Sequence, residues 1–284
     1  MNEKSLYSTK ETTLVLASLI SLSTISTLPM LLAVFMTDPV KFTCLTLNGT
    51  RLNGTCPENQ VARCVQIEYD RSIWTSNLLM EMNLVCDRTE MKALPNYGWF
   101  VGMFLTAFTM QMPDLFGRWS TIFGCQAGLT LTVLLSAAVT SIEAYSVLRA
   151  CHGFFVIMVY QAMYTYYIES LTQSQRSKRG SLSDILTGLV PCLYATVGYV
   201  ARDWRIQIYI IGALNGACLV LLWWLPESKE WLNSQLQQGQ RRRHGGTLQQ
   251  IKTTLKSNKQ QFAMIFNSGP ILRVCLIMVR KFKI

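Results

Sequence analysis

The 284-residue chain is 50% hydrophobic, only 15% charged, and carries a formal net charge of +10. Soluble domains average about 25% charged residues, so this composition excludes an ordinary globular enzyme and points to a multi-pass membrane protein. There are two histidines, and no CxxC pair, zinc-type spacing or glycine-rich phosphate loop, so no metal site, cofactor, catalytic residue or enzyme activity is expected.

In chain order, residues 1–13 are polar and are expected to be a cytoplasmic N-terminus. A first apolar window covers 14–36, long enough for a helix to cross a bilayer and without the small-residue cleavage site of a signal peptide. Five more windows follow at 96–113, 120–140, 145–168, 182–201 and 205–225, so that 96–225 holds spans two to six. A polar central loop at 226–267 is expected to be cytoplasmic. In the final segment, 268–284, an apolar run from Ile271 to Val279 contains Arg273 and stops at a basic tail, as an incomplete seventh span.

The long connection at 37–95 holds two sequons, at Asn48 and Asn53, and four cysteines, Cys44, Cys56, Cys64 and Cys86. Clustered in one segment, they favour a glycosylated, oxidising, extracellular face with disulfides among the four, and three pairings are open. The bases fall on the other side. Arg176, Lys178 and Arg179 follow the fourth window, and Arg241, Arg242, Arg243, Lys252, Lys256 and Lys259 follow the sixth. That distribution obeys the positive-inside rule, so the positive charge reports topology and no nucleic-acid partner is expected.

Several short stretches have more specific content. "MPDLFGRWS", residues 112–120, sits between two windows and carries Asp114, Gly117 and Arg118. They resemble the cytoplasmic loop signature of the major facilitator superfamily, although Met110, Pro113, Leu115 and Trp119 depart from it. An ordinary capped turn and a charged gate latch both fit these residues; a latch would bind a neighbouring bundle in one state and release it in the other. Arg149 and Gly153 resemble the family's R-x-x-x-G, and an arginine inside an apolar window is expected to be functional or paired, or to snorkel from a boundary. Glu169 with Arg176 and Arg179 resembles the acid–base pattern that closes the fourth span. "LPESKEWL", Leu225–Leu232, resembles the signature that ends the sixth. In it Pro226 stops the helix, and Glu227 and Ser228 are placed to cap the next one.

Two further stretches, "TSNLLMEMNLVCDR" from Thr75 and "RDWRIQIY" from Arg202, resemble the extracellular segments of organic cation, anion and carnitine transporters. The resemblance implies an all-α membrane protein: the six-helix N-terminal bundle of a major facilitator fold, truncated at the start of a seventh span. It implies a plasma-membrane solute carrier moving small organic ions by alternating access, organic cations or zwitterions favoured. A missing C-terminal half or a full-length relative would then be needed, and a truncated, non-transporting regulator is the alternative. The resemblance places substrate contacts in the fourth window. There Tyr160, Tyr164 and Tyr167 recur at i, i+4 and i+7 on one helical face beside Gln161, a pattern that also suits an aromatic packing stripe. The implied gate set is Asp114, Gly117, Arg118, Arg149, Gly153, Glu169, Arg176, Arg179 and Glu227.

If the 37–95 segment is extracellular, protein expressed in cells should carry glycans on Asn48 and Asn53. Glycosidase treatment should then increase its gel mobility, and unchanged mobility would remove the main support for this orientation.

Overall fold

The computed structural model describes residues 25–37, 40–46, 51–54, 64–171, 176, 181, 185 and 187–244. Asn48, Cys56, Arg179, the N-terminal residues through 24, and 245–284 with the expected seventh span lie outside the described residues. The chain divides between Trp231 and Leu232 into two units, and the first contains all that follows apart from the later turns of the last helix.

The first unit is mostly helical. Its helices are α1 (Leu28–Met36), the short α2 (Leu78–Glu81), α3 (Leu94–Thr109), the short α4 (Met112–Phe116), α5 (Arg118–Ser136), α6 (Ile142–Glu169), α7 (Val190–Val200) and α8 (Trp204–Trp223), before α9 (Lys229–His244) begins. Among the described residues, α5, α6 and α8 are long and apolar enough to cross a membrane. Helices α1, α3 and α7 lie in the other apolar windows. Part of "MPDLFGRWS" is itself helical, with Pro113 in the first turn of α4, where its absent amide hydrogen costs nothing.

The 37–95 segment, expected as a loop outside an all-α bundle, contains a small sheet. Strand β1 (Phe42–Thr46) lies between β2 (Arg51–Asn53) and β3 (Cys64–Tyr69) in an antiparallel sheet. The Cys44–Cys64 disulfide ties β1 to β3, and Cys86 is also disulfide-bonded. Such short strands leave too few residues for period-two alternation to stand out from a polar loop.

Glycines set the closest helix packing. A Cβ on Gly102 would lie 1.9 Å from the Ala150 carbonyl oxygen, one on Gly98 2.3 Å from that of Ser146, and one on Gly153 2.4 Å from that of Trp99. Helices α3 and α6 therefore meet backbone to backbone, the small-residue contact typical of membrane helices. Around them Trp99, Leu129, Val133, Tyr145, Val156, Tyr194 and Trp204 form one buried apolar cluster.

At the Ile142 end of α6, the two extracellular-type stretches dock on each other. The Thr75 amide donates to the Arg202 carbonyl at 3.0 Å, and the Trp204 amide to that of Ser76 at 3.3 Å. The indole of Trp204 donates to Glu81 Oε2 at 2.7 Å, and Arg205 grips both Glu81 oxygens while also reaching the Ala137 carbonyl. Asp203 caps α8 by accepting from the Arg205 amide at 2.8 Å.

The Arg205 hydrogen bonds hold the Glu81 carboxyl below its ordinary value, against a smaller desolvation effect. A carboxyl depressed in the folded state stabilises fully above its unfolded value and loses that contribution as pH falls through the lower folded value. Thermal stability of solubilised protein should therefore decline with acidification below the ordinary glutamate range. Glu81→Gln should be less stable at neutral pH and flatter across that window, and a parallel decline in both proteins would refute the assignment.

Candidate functional site

At the opposite end of α6, the motif residues converge. Gly117 links α4 to α5 at φ +102, a left-handed conformation that favours glycine, and a Cβ there would lie 2.7 Å from a Glu227 carboxylate oxygen. The turn thus needs glycine for both its backbone and its clearance. It delivers Arg118 as the first residue of α5, one turn beyond Asp114.

Arg118 is the hub. Its Nε and Nη2 donate to Glu169 Oε1 at 3.1 and 2.7 Å, and its Nη1 to Asp114 Oδ1. The other Glu169 oxygen accepts from the Ser228 hydroxyl at 2.6 Å. The Arg118 and Glu169 side chains are 9% and 15% exposed, whereas that of Asp114 is 67% exposed. Arg118–Glu169 is therefore the shielded pair, with Asp114 at its open edge.

Glu227 reaches back to the start of α5. Its Oε1 accepts from the Trp119 amide in the first turn of α5 at 3.0 Å, and from the Ser228 amide at 3.0 Å. Ser228 takes the expected capping role, its hydroxyl accepting from the Trp231 amide at 3.4 Å. Three more bonds close the joint: the Trp231 indole to the Asp114 carbonyl at 3.0 Å, the Trp119 indole to that of Leu222 at 2.8 Å, and the Tyr166 hydroxyl to that of Pro226 at 2.7 Å. Tyr166 and Trp231 were not singled out in the sequence, and Trp119 only as a departure from the loop signature. Their signal is an indole or phenol beside each charged motif, since such rings need a hydrogen-bond partner when buried. Arg176 stands apart from the network, with Nε 3.4 Å from the Leu171 carbonyl.

Arg149 and Gly153 work as a pair on Trp99. The Arg149 side chain is fully buried, with its guanidinium carbon 4.7 Å from the centre of the Trp99 ring. One turn on, Gly153 lets the Trp99 backbone approach.

Of the tyrosines, Tyr160 and Tyr164 stack with centroids 6.4 Å apart and planes inclined by 17°. Tyr164 is 43% exposed and Tyr167 only 3%, although all three share a helical face. Tyr167 is covered because the bundle closes towards Glu169, where it belongs to the cluster with Ile122, Leu222 and Leu225. Gln161 is half-buried.

This arrangement is that of a membrane helical bundle with a charged joint at one end and an open aromatic face on its longest helix. The Major Facilitator Superfamily profile matches residues 90–279, and the chain belongs to that superfamily. It is similar to solute carrier family 22 member 4 of Mus musculus, 30% identical over 177 residues that cover 59% of this chain and 31% of that protein. Solute carrier family 22 member 7 of Sus scrofa is 30% identical over 195 residues, 66% of this chain and 34% of its own length. Organic cation/carnitine transporter 2 of Homo sapiens is 29% identical over 180 residues, 59% and 30% respectively. The chain thus spans about a third of the length of the curated relatives it matches.

The unequal burial of the acids sets unequal costs. Glu169→Gln removes the shielded partner of Arg118 and should cost about 3 kcal/mol. Asp114→Asn removes an exposed charge and should cost under about 1 kcal/mol. Denaturant unfolding followed by tryptophan fluorescence measures both, and equal losses would mean that Arg118 depends on the two acids alike.

Proposed function

We propose that the chain forms the N-terminal bundle of a plasma-membrane transporter that moves small organic ions by alternating access, with organic cations or zwitterions favoured. The observation that carries the substrate class is the stacked, partly exposed Tyr160–Tyr164 pair on α6. Two parallel rings at the edge of an apolar bundle attract a cation through their π-faces, each contact contributing about 1 kcal/mol. The printed names of the relatives, which include an organic cation/carnitine transporter, support the same class.

In this reading the Glu169 end is cytoplasmic and the β-sheet segment extracellular, with glycans on Asn48 and Asn53. The base-rich connections after α6 and α8 and the Cys44–Cys64 disulfide support that orientation. Asp114 is then the gate charge. Arg118 engages one of its oxygens, and its exposure leaves it accessible to a second bundle, whether that bundle is covalently linked or belongs to another polypeptide. Arg118, Glu169 and Glu227 brace the turn that presents it. A membrane-embedded regulator that pairs with a full-length relative is the second reading. It is favoured by an exposed apolar row on α3, Phe100, Phe104 and Phe108, suited to packing against another bundle.

Uptake of labelled organic cations, zwitterions and anions should be measured in cells expressing the chain with a second bundle from a relative. Tyr164→Ala should raise the apparent KM for cations about fivefold at unchanged surface expression, and Tyr164→Phe much less. A wild-type KM for the Ala variant across all substrates would make the tyrosines packing residues. Absence of uptake under every pairing would leave the regulator reading.

A further inference from the structure

The first apolar segment is interrupted in the middle of the bundle. Residues 25 and 26 are helical, Thr27 is a turn, and α1 resumes at Leu28. Pro29 accounts for the break, because it has no amide hydrogen to give the Ile25 carbonyl and its ring crowds the preceding turn. The Met30 amide donates to the Thr27 carbonyl at 3.0 Å, a three-residue step that tightens the backbone at this point. Inside an apolar bundle such a break persists where neighbouring polar groups hold the backbone.

Polar groups hold it on both sides. Before the break, the Ser26 hydroxyl donates to Gln126 Oε1 at 2.8 Å, and Gln126 Nε2 donates to Asn215 Oδ1 at 2.9 Å, which ties this side to α5 and α8. Beyond the break, Arg149 Nη1 donates to the Pro29 carbonyl at 2.7 Å. Farther along α1, the contact is soft: the Tyr145 hydroxyl donates to the Met36 sulfur at 3.3 Å. Arg149 has no carboxylate partner among the described residues, and its Nε lacks any hydrogen-bond partner. Its hold on α1 is one hydrogen bond, made from a platform on the Trp99 ring.

We infer that Arg149 is a positioning residue that fixes the angle of the Leu28–Met36 segment, and that the span bends at Thr27–Pro29 when this one bond is exchanged. The Ser26–Gln126–Asn215 chain keeps the other side in place, so the movement is confined to one half of the span. The use of such a bend rests on the transport reading, in which one end of the bundle must open while the other stays shut. The bend itself does not require transport, so the two readings fail separately.

The test reads thiol access in bilayers, with no substrate and no uptake. Met36 is 1% exposed, so Met36→Cys should react slowly with N-ethylmaleimide, and the native Cys218, also buried, reports general loosening. Labelling at each position is quantified by mass spectrometry of the whole chain in vesicles. Arg149→Gln should speed labelling at position 36 roughly tenfold, the scale of one lost charge-assisted hydrogen bond, with Cys218 unchanged. Pro29→Ala restores the amide donor for Ile25; it should slow labelling at position 36 and suppress the effect of Arg149→Gln. The inference is overturned if positions 36 and 218 accelerate together, if neither does, or if the Arg149 effect persists undiminished with Pro29→Ala.

Discussion

A guanidinium at the start of a helix is the constraint on which the Glu169 end of the bundle depends. Arg118 is the first residue of α5, where the helix dipole and unpaired amides already present positive charge. A cation there is unfavourable unless acids surround it. Two carboxylates answer the guanidinium, Glu169 directly and Asp114 from its open edge, and a third, from Glu227, answers the amides. Each acid comes from a different stretch of chain, so satisfying one charge fastens α4, α6 and the 226–231 segment to α5. The left-handed Gly117 follows from the same requirement, because a side chain there would occupy the place of the Glu227 carboxylate.

The rest of the bundle is built on approach distance more than on charge. Gly98, Gly102 and Gly153 bring α3 and α6 together at backbone range, where dispersion and polar backbone contacts replace the hydrophobic drive that lipid does not supply. Within the bundle, Ser26, Gln126 and Asn215 pair across helices. The Ile142 end is again charged, through Glu81 and Arg205. The bundle therefore has polar fastenings at both ends.

What could be read from the sequence follows from the range of each signal. Apolar windows and the turn at Gly117 are local, and helices lie in all six windows; the break at Pro29 lies inside a window read as one continuous span. The motifs were visible as residue types, but their partners were not. Nothing near Glu227 indicates that its carboxylate caps a helix starting more than 100 residues earlier, so the adjacent helix was the natural expectation. The Gly98-x-x-x-Gly102 spacing was present and went unread, because its meaning depends on α6 lying opposite. Tyr167 shows the limit of periodicity: spacing gives the face, while its burial depends on how α8 closes over that face near Glu169. The short strands carried too little alternation to be seen at all.

The clamp between Glu81 and Arg205 also imposes an order on biosynthesis. Its partners lie 124 residues apart, and the chain must be made through α5, α6 and α7 before Arg205 exists to grip Glu81. In the proposed orientation the sheet segment is until then exported yet undocked, and the Cys44–Cys64 crosslink can close by itself. Docking is a late, long-range step, of the kind that proceeds slowly and leaves intermediates exposed. A ribosome stalled within α7 would therefore leave a nascent chain whose sheet segment can be oxidised but not anchored, a difference that quality control in the secretory pathway could read.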